Sequence, residues 1–190
     1  NEIDFLAIAQ TGNGVDFGDL TLGRTGPFAM SSPTRSVLAG GYHGSSPNGT
    51  NIIDFVTIAS TGNAQDFGDL TQVNNFSGGT SCSNSTIGIA MGGREASGST
   101  TLSEIQKITI ATLANAVKFG DLTVAVRSGS AVSSKTRGVR VAGYVVPSNA
   151  NSNSMDYIEL ATEGDAVDFG DFTRSTSSMG TGTSNDHGGL

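Results

Sequence analysis

The five residues Phe17-Gly18-Asp19-Leu20-Thr21 decide the fold, because nearly the same five recur three more times along the 190-residue chain. Successive copies begin 50, 52 and 50 residues apart. A fixed spacing in this range is the sequence signature of a repeat architecture. The chain therefore divides into units at residues 1–50, 51–102, 103–153 and 154–190, of which the last is incomplete. The further copies of the motif are Phe67-Gly68-Asp69-Leu70-Thr71, Phe119-Gly120-Asp121-Leu122-Thr123 and Phe169-Gly170-Asp171-Phe172-Thr173.

Each repeat is predicted to contain four short strands. A matching apolar segment precedes every copy of the motif, at residues 3–9, 53–59, 105–111 and 155–161. Around the third copy we predict strands at 78–83, 87–92, 102–111 and 117–123, arranged as two consecutive hairpins. The turns carry residues that tolerate positive φ, as in Thr61-Gly62-Asn63. Helical periodicity is not sustained anywhere along the sequence.

The strand that precedes the motif is apolar on both of its faces. In residues 3–9 the odd positions are Ile, Phe, Ala and Ala, and the even positions are Asp, Leu and Ile. A strand between two stacked sheets has this pattern, whereas one in a one-sided sheet alternates. We therefore predict an all-β chain, a β-propeller that is either closed with four blades or part of a larger ring. The residues predicted to pack between blades are Phe17, Phe67, Phe119 and Phe169.

The repeat resembles a known propeller family. A period near fifty residues, four strands and a strand end such as Met91-Gly92-Gly93 resemble the kelch repeat, although the chain has no tryptophan. The Ile-Asp-Phe and Phe-Gly-Asp-Leu-Thr signatures are similar to kelch-like repeats in virion and tail-fibre proteins of tailed phages, marine cyanophages in particular. The resemblance implies a virion-surface or extracellular location and a homo-oligomer on a particle. Its implied partners are other virion or fibre subunits and host-surface glycans.

Composition and charge argue against several classes of function. The formal net charge is −7 with only ten lysines and arginines, which is unsuited to nucleic-acid binding. No apolar run approaches the roughly 18 residues of a membrane-spanning helix. The chain begins in a strand-like segment, so we predict no signal peptide in it; either it is a processed fragment or it is not exported by that route. The single cysteine, Cys82, rules out an internal disulfide and is predicted to be a small buried residue in a strand.

Two sets of recurring acidic residues are predicted to be structural. The first set follows the glycine of the motif and is expected to accept backbone N–H bonds in a tight turn or bulge rather than to bind calcium. Its members are Asp19, Asp69, Asp121 and Asp171. The second set loses its charge in one unit, which favours a hydrogen-bonding role; it consists of Asp4, Asp54 and Asp156, with Gln106 at the matching position. We predict no metal, no cofactor and no catalytic residue.

Specificity is predicted to lie in the connections between the second and third strands, because these loops differ among units while the strands repeat. Aromatic rings, imidazole and guanidinium in these loops can stack on sugars or bond their hydroxyls. The candidate ligand-binding residues are Tyr42, His43, Arg94 and Tyr144. We therefore expect a non-catalytic virion or tail-fibre module that recognises host-surface glycans. A purely structural virion decoration or assembly protein is an alternative, and a polysaccharide-degrading propeller enzyme is a less favoured one.

Overall fold

The computed structural model describes residues 1–44, 48–75, 80–146, 148–177 and 182, and within them the chain is all-β. All strand pairs are antiparallel, and neighbouring strands in each sheet follow one another in the sequence. The described residues contain no helix that is long and apolar enough to cross a membrane.

The strands form one two-stranded sheet followed by three four-stranded sheets. The first sheet contains β1 (Glu2–Phe5) and β2 (Val15–Asp19). The second sheet contains β3 (Phe28–Ser31), β4 (Arg35–Ala39), β5 (Thr50–Thr57) and β6 (Gln65–Asn74). The third sheet contains β7 (Ser81–Ser83), β8 (Ile87–Met91), β9 (Glu104–Thr109) and β10 (Val117–Asp121). The fourth sheet contains β11 (Ser130–Ser133), β12 (Arg137–Val145), β13 (Ala150–Glu159) and β14 (Val167–Asp171).

The strands predicted for one unit are confirmed in the third sheet. The predictions at 87–92, 102–111 and 117–123 correspond to β8, β9 and β10, whose ends are one or two residues shorter. The strand predicted at 78–83 is observed as β7 over its last three residues, and residues 78–79 lie outside the described part of the chain. The two predicted hairpins join into one sheet through pairing of β8 with β9.

The repeated motif marks a β-bulge in the last strand of every sheet. In β6, Gly68 pairs with Ile53 and Asp66 pairs with Asp54, so Phe67 is an extra residue without an opposite partner. The same shift of register occurs at the motif in β2, β10 and β14. A bulge twists the strand and interrupts the ladder of backbone hydrogen bonds. Peptide groups next to the motif glycine are thereby available to a neighbouring element.

A turn of the next sheet occupies these free peptide groups. The turn between β5 and β6 lies on β2, where Gly62 N–H donates to the carbonyl of Phe17 (2.7 Å) and Ala64 N–H donates to that of Asp19 (2.8 Å). In return, the backbone N–H of Asp19 donates to the side-chain oxygen of Asn63 (3.1 Å). Corresponding bonds join the second sheet to the third and the third to the fourth. We term this set of bonds the turn clasp.

The turn clasp differs from the role predicted for the aspartates of the motif. We expected their carboxylates to accept backbone N–H bonds. Instead, the recurring bonds are made by the backbone of Asp19, Asp69 and Asp121, and the acceptor side chain belongs to the following turn. The bulge is the physical reason, because it leaves backbone groups that need partners of their own.

The hydrophobic core lies between successive sheets. In the first of these layers, Phe17 and Leu20 pack against Val56 and Ala64 of the second sheet. Residues at the corresponding positions join the second sheet to the third and the third to the fourth. Burying one phenylalanine of this kind contributes about 1.5–3 kcal/mol. The layers therefore bind each sheet to the next in chain order.

One motif phenylalanine departs from the predicted packing. Phe17, Phe67 and Phe119 are at most 9% exposed, whereas Phe169 is 50% exposed. The prediction that Phe169 packs between sheets is wrong for this structure. Within the described residues no sheet follows β14, so the outer face of the fourth sheet has nothing to pack against.

The single cysteine is buried in β7, in the position that the sequence predicted. Burial raises the pKa of the Cys82 thiol to about 12. The thiol therefore stays protonated near neutral pH, and the reactive thiolate is scarce. We expect iodoacetamide at about pH 8 to leave the native protein unlabelled and to label it fully in guanidinium chloride. Mass spectrometry measures the labelling. Rapid labelling of the native protein would contradict the burial of Cys82.

Candidate functional site

The topology places the variable loops at one end of the sheets. Strand direction alternates in every sheet, so the connections β4–β5, β8–β9 and β12–β13 leave at the same end. The connections from one sheet to the next leave at that end as well. We term it the loop end, and the opposite end, with the tight turns inside the hairpins, the turn end. The loops that were predicted to determine specificity therefore all lie on one surface, the loop end.

Backbone pairing fixes the predicted tyrosines at the loop end. Tyr42 exchanges two backbone hydrogen bonds with Thr25, which lies in the connection between the first and second sheets. Tyr144 exchanges the equivalent bonds with Arg127, which lies between the third and fourth sheets. Both tyrosines are half-buried. Their positions are therefore set by the scaffold and not by the variable loop alone.

Arg94 occupies the corresponding position in the third sheet. Its carbonyl accepts a hydrogen bond from the backbone of Asn75 (2.7 Å), in the connection that precedes this sheet. Its Nε donates to the carbonyl of Gly98 across its own loop (2.7 Å). The chain turns into this loop at Gly92 and Gly93, which have φ values of 65° and 111° and thus a conformation that favours glycine.

A second arginine, which sequence reasoning missed, joins this site. The guanidinium carbon of Arg127 lies 4.7 Å from the centre of the Tyr144 ring, in cation–π geometry. Burial lowers the pKa of Arg127, and the positive charge of Arg94 lowers it further. The hydroxyl of Tyr144 donates to the side-chain oxygen of Asn149 (3.1 Å). The three side chains Arg94, Arg127 and Tyr144 form what we term the arginine–tyrosine cluster.

A signal for Arg127 was present in the spacing of the repeats. Thr25 precedes Tyr42 by 17 residues, and Arg127 precedes Tyr144 by the same number. Both pairs are bridged in the structure. The equal spacing therefore indicates that a loop residue such as Tyr144 pairs with a residue in the connection that precedes its sheet.

The remaining candidates lie elsewhere. His43 belongs to the loop of the second sheet, where its Nε2 contacts the carbonyl of Gly49 at hydrogen-bonding distance (3.2 Å). This contact joins the two ends of the loop that contains His43, next to Tyr42. Of the four predicted ligand residues, Tyr144 contacts Arg127, and Arg94 lies close enough for its charge to lower the pKa of Arg127.

A cleft between the first strands of the sheets was not predicted. It has a volume of about 350 Å³ and is lined mainly by small residues of β3, β7 and β11. The Ser81 hydroxyl donates to the carbonyl of Ala29 (3.0 Å), and the Ser133 hydroxyl donates to that of Ser83 (2.9 Å). These hydroxyls therefore bind neighbouring strands to each other.

Three residues of the second recurring set, Asp54, Gln106 and Asp156, make the predicted hydrogen bonds. Asp54 accepts bonds from the backbone N–H (3.2 Å) and the hydroxyl (2.6 Å) of Thr21, which lies just after the last strand of the preceding sheet. The backbone N–H of Thr71 donates in the same way to Gln106 (2.8 Å). We term these contacts, with the one between Thr123 and Asp156, the threonine bridges.

Two of the threonine bridges also contain a buried ion pair that the sequence did not predict. Asp54 pairs with Arg24 (3.0 Å), and Asp156 pairs with Arg140 (2.5 Å). All four side chains are essentially inaccessible to solvent. The third sheet replaces the ion pair by the neutral Gln106, which shows that the bridge itself does not require charge.

In the first sheet the corresponding residue, Asp4, is exposed. Its carboxylate lies near those of Glu2 and Asp16, with the oxygens within 4.8 Å of one another. Exposed acidic groups commonly approach each other without a bound ion. The burial of Asp54 and Asp156 therefore depends on the sheet that precedes each of them.

No family model matches the chain, and none of the curated proteins matches it. The geometry of the described residues therefore carries the functional argument. Its two main features are the arginine–tyrosine cluster at the loop end and the repeated junction between sheets.

Proposed function

We propose that the chain is a non-catalytic β-propeller module of a phage virion or tail fibre, and that it recognises host-surface glycans at the loop end. The single observation that carries the binding proposal is the arginine–tyrosine cluster. The successive antiparallel sheets, packed face to face and joined along their first strands, support a propeller as the scaffold. The virion assignment rests on the resemblance of the repeat to kelch-like phage proteins.

The chemistry of the cluster suits an acidic sugar. Two neighbouring guanidinium groups provide planar arrays of donors that match a carboxylate. The Tyr144 ring offers a flat surface whose polar end already holds a hydrogen bond. A site of this size binds weakly on its own, and many copies on one particle raise the overall affinity by about 10²–10⁴-fold. The proposal is therefore recognition of carboxylated glycans by multivalent attachment.

The experiment compares binding of alginate, an acidic polysaccharide, with binding of neutral dextran by calorimetry or biolayer interferometry. We expect alginate binding that weakens as salt is added, because exposed charges are screened. Arg94→Ala and Arg127→Ala are each expected to weaken it about tenfold, which corresponds to about 1.4 kcal/mol. Reducing-sugar assays on the same samples are expected to show no cleavage.

Arg137→Ala is the matched control. The Arg137 guanidinium stacks on the Tyr157 ring at 4.4 Å, as Arg127 stacks on Tyr144, and it also pairs with the Glu159 carboxylate. Arg137 begins β12, at the turn end, whereas Tyr144 lies near the loop end of that strand. An equal loss of binding in the control, or no alginate binding at all, would refute the proposed site. Release of reducing sugar would instead favour a polysaccharide-degrading enzyme.

A second candidate function is a purely structural virion assembly or decoration protein. The exposed apolar side chains of the first and fourth sheets favour it, among them Phe5, Leu6 and Phe169. Such residues on outer faces are typical of a surface that binds another subunit. Assembly without any glycan binding would select this function over the first.

A further inference from the structure

The same junction joins every pair of neighbouring sheets, and it has two unlike halves. One half, on the preceding sheet, consists of the bulged motif with its phenylalanine, its free peptide groups and its threonine. The other half, on the following sheet, consists of the docking turn, an apolar third strand and an acidic or amide side chain. We term the first half the motif face and the second half the turn face. Each junction therefore has a direction along the chain.

The first sheet has an unoccupied turn face. Leu6 is 65% exposed, whereas the residues at its position in the later sheets, Val56, Ile108 and Ile158, are 7%, 4% and 3% exposed. Ile8, two residues further on, is 95% exposed. At the position of Ile8, the third and fourth sheets bury Ile110 and Leu160, whereas Ile58 of the second sheet is 47% exposed. In the described part of the chain no sheet precedes β1, so the position of Leu6, which is buried in all three later sheets, lies open at this end.

The fourth sheet has an unoccupied motif face. Phe169 is 50% exposed and Phe172 is 42% exposed, although residues at both positions are buried in the other three sheets. A Cβ at the motif glycine would lie between 2.0 and 2.7 Å from a backbone oxygen of the next turn at Gly18, Gly68 and Gly120. At Gly170 the nearest atom is a methyl carbon of Met155 at 4.0 Å. No turn is docked on this motif within the described residues.

We propose that these two faces bind each other between copies of this chain, so that molecules associate head to tail. Each molecule exposes both halves of a junction that it forms three times internally, and the two exposed halves are unlike. The contact is therefore heterologous and not isologous, and it leads to a ring or to a filament. A second copy of the chain carries the half that fits each of these faces.

The internal junctions specify the contacts of this interface. Gly12 and Gly14 stand at the positions of Gly62 and Ala64, so their N–H groups donate to the carbonyls of Phe169 and Asp171 of the other copy. In the same way, Thr173 bonds the Asp4 carboxylate as Thr21 bonds that of Asp54. Leu6 and Ile8 pack on Phe169 and Phe172. The acidic group formed by Glu2, Asp4 and Asp16 thereby becomes partly buried.

The test measures the mass of the 190-residue chain by sedimentation over a wide concentration range. We expect species heavier than the 19.2 kDa monomer that increase with concentration. Leu6→Asp damages only the turn face and Phe169→Asp only the motif face, so each variant alone is expected to stay monomeric. A mixture of the two keeps one intact face of each kind and is expected to give a 1:1 dimer and nothing larger.

Leu113→Asp is the control, because Leu113 is 53% exposed in a turn and belongs to neither open face. It is expected to assemble like the unmodified chain. Circular dichroism and thermal melting confirm that each variant is folded, since all three positions are exposed. The proposal is overturned by a chain that stays at 19.2 kDa at every concentration, by single variants that assemble normally, or by a mixture that forms no dimer. Alginate binding by the monomeric variants is a separate readout, so failure of assembly does not count against the glycan site.

Discussion

Alanine in place of Gly68 is expected to lower the free energy of unfolding by about 3 kcal/mol or more. A Cβ at this position would lie 2.7 Å from the carbonyl oxygen of Ala114 and 2.9 Å from the side-chain oxygen of Asn115. Both atoms belong to the turn clasp that joins the second sheet to the third. Because the obstructing atoms include backbone, the turn has to move away, and the hydrogen bonds to Asp69 are lost with it.

Gly170→Ala provides the matched control for this substitution. The two glycines have similar φ values, 143° at Gly68 and 128° at Gly170, so alanine strains the backbone in both. Only Gly68 has a docked turn, and the difference between the variants therefore isolates the collision. We expect denaturant unfolding to show a loss larger by about 1–3 kcal/mol for Gly68→Ala. Equal losses would mean that the turn does not rest on the motif.

Removal of the Asp156 carboxylate by substitution with alanine is expected to cost about 3–5 kcal/mol, because it leaves the buried Arg140 guanidinium without a counter-charge. The remaining partners of Arg140 are the carbonyls of Ala142 (2.7 Å) and Ser154 (3.0 Å) and the Ser154 hydroxyl (3.0 Å). These neutral groups do not replace the carboxylate. The hydroxyl of Thr123 loses its acceptor at the same time. Denaturant titration followed by circular dichroism measures the loss.

The third sheet shows which second substitution should restore stability to this variant. Arg140 lies opposite Asp156 in the fourth sheet, and at the corresponding positions of the third sheet Ala90 lies opposite Gln106. The double variant Arg140→Ala with Asp156→Gln reproduces that neutral pair and leaves no buried charge. We expect it to be more stable than Asp156→Ala alone, even though it removes more side-chain atoms. A double variant less stable than the single one would show that packing of the arginine, and not its charge, dominates.

The repeat made the strands predictable, because a motif that recurs at a fixed spacing adopts the same local strand structure each time. The four strands of one unit, the all-β class and the buried Cys82 followed from that reasoning. The bulge did not follow, because a Phe-Gly-Asp sequence fits several turns, and only the register with the preceding strand reveals the extra residue. The partner of the motif was equally hidden, since the turn clasp joins residues about 45 positions apart.

Burial at the ends of the chain was the main error of sequence reasoning. Phe169 has nearly the same local sequence as Phe119, yet it is exposed because burial depends on a neighbouring sheet. The arginines of the two buried ion pairs were unpredictable for a related reason. Arg24 reaches Asp54 from the connection between sheets, whereas Arg140 reaches Asp156 from within its own sheet. Similar pairs thus arise from unrelated positions, and no repeat marks them.

The directional junction between sheets has a consequence for how such a chain evolves. A unit that is duplicated in tandem adds one motif face and one turn face. The new copy can therefore form the same junction with the sheet before it and with the sheet after it. Loss of a whole unit joins the same two surfaces again. Recombination between the near-identical Phe-Gly-Asp-Leu-Thr coding segments would therefore change the number of sheets without creating a mismatched junction, and loops could diverge independently of that number. Natural length variants of this sequence should accordingly differ by multiples of about fifty residues.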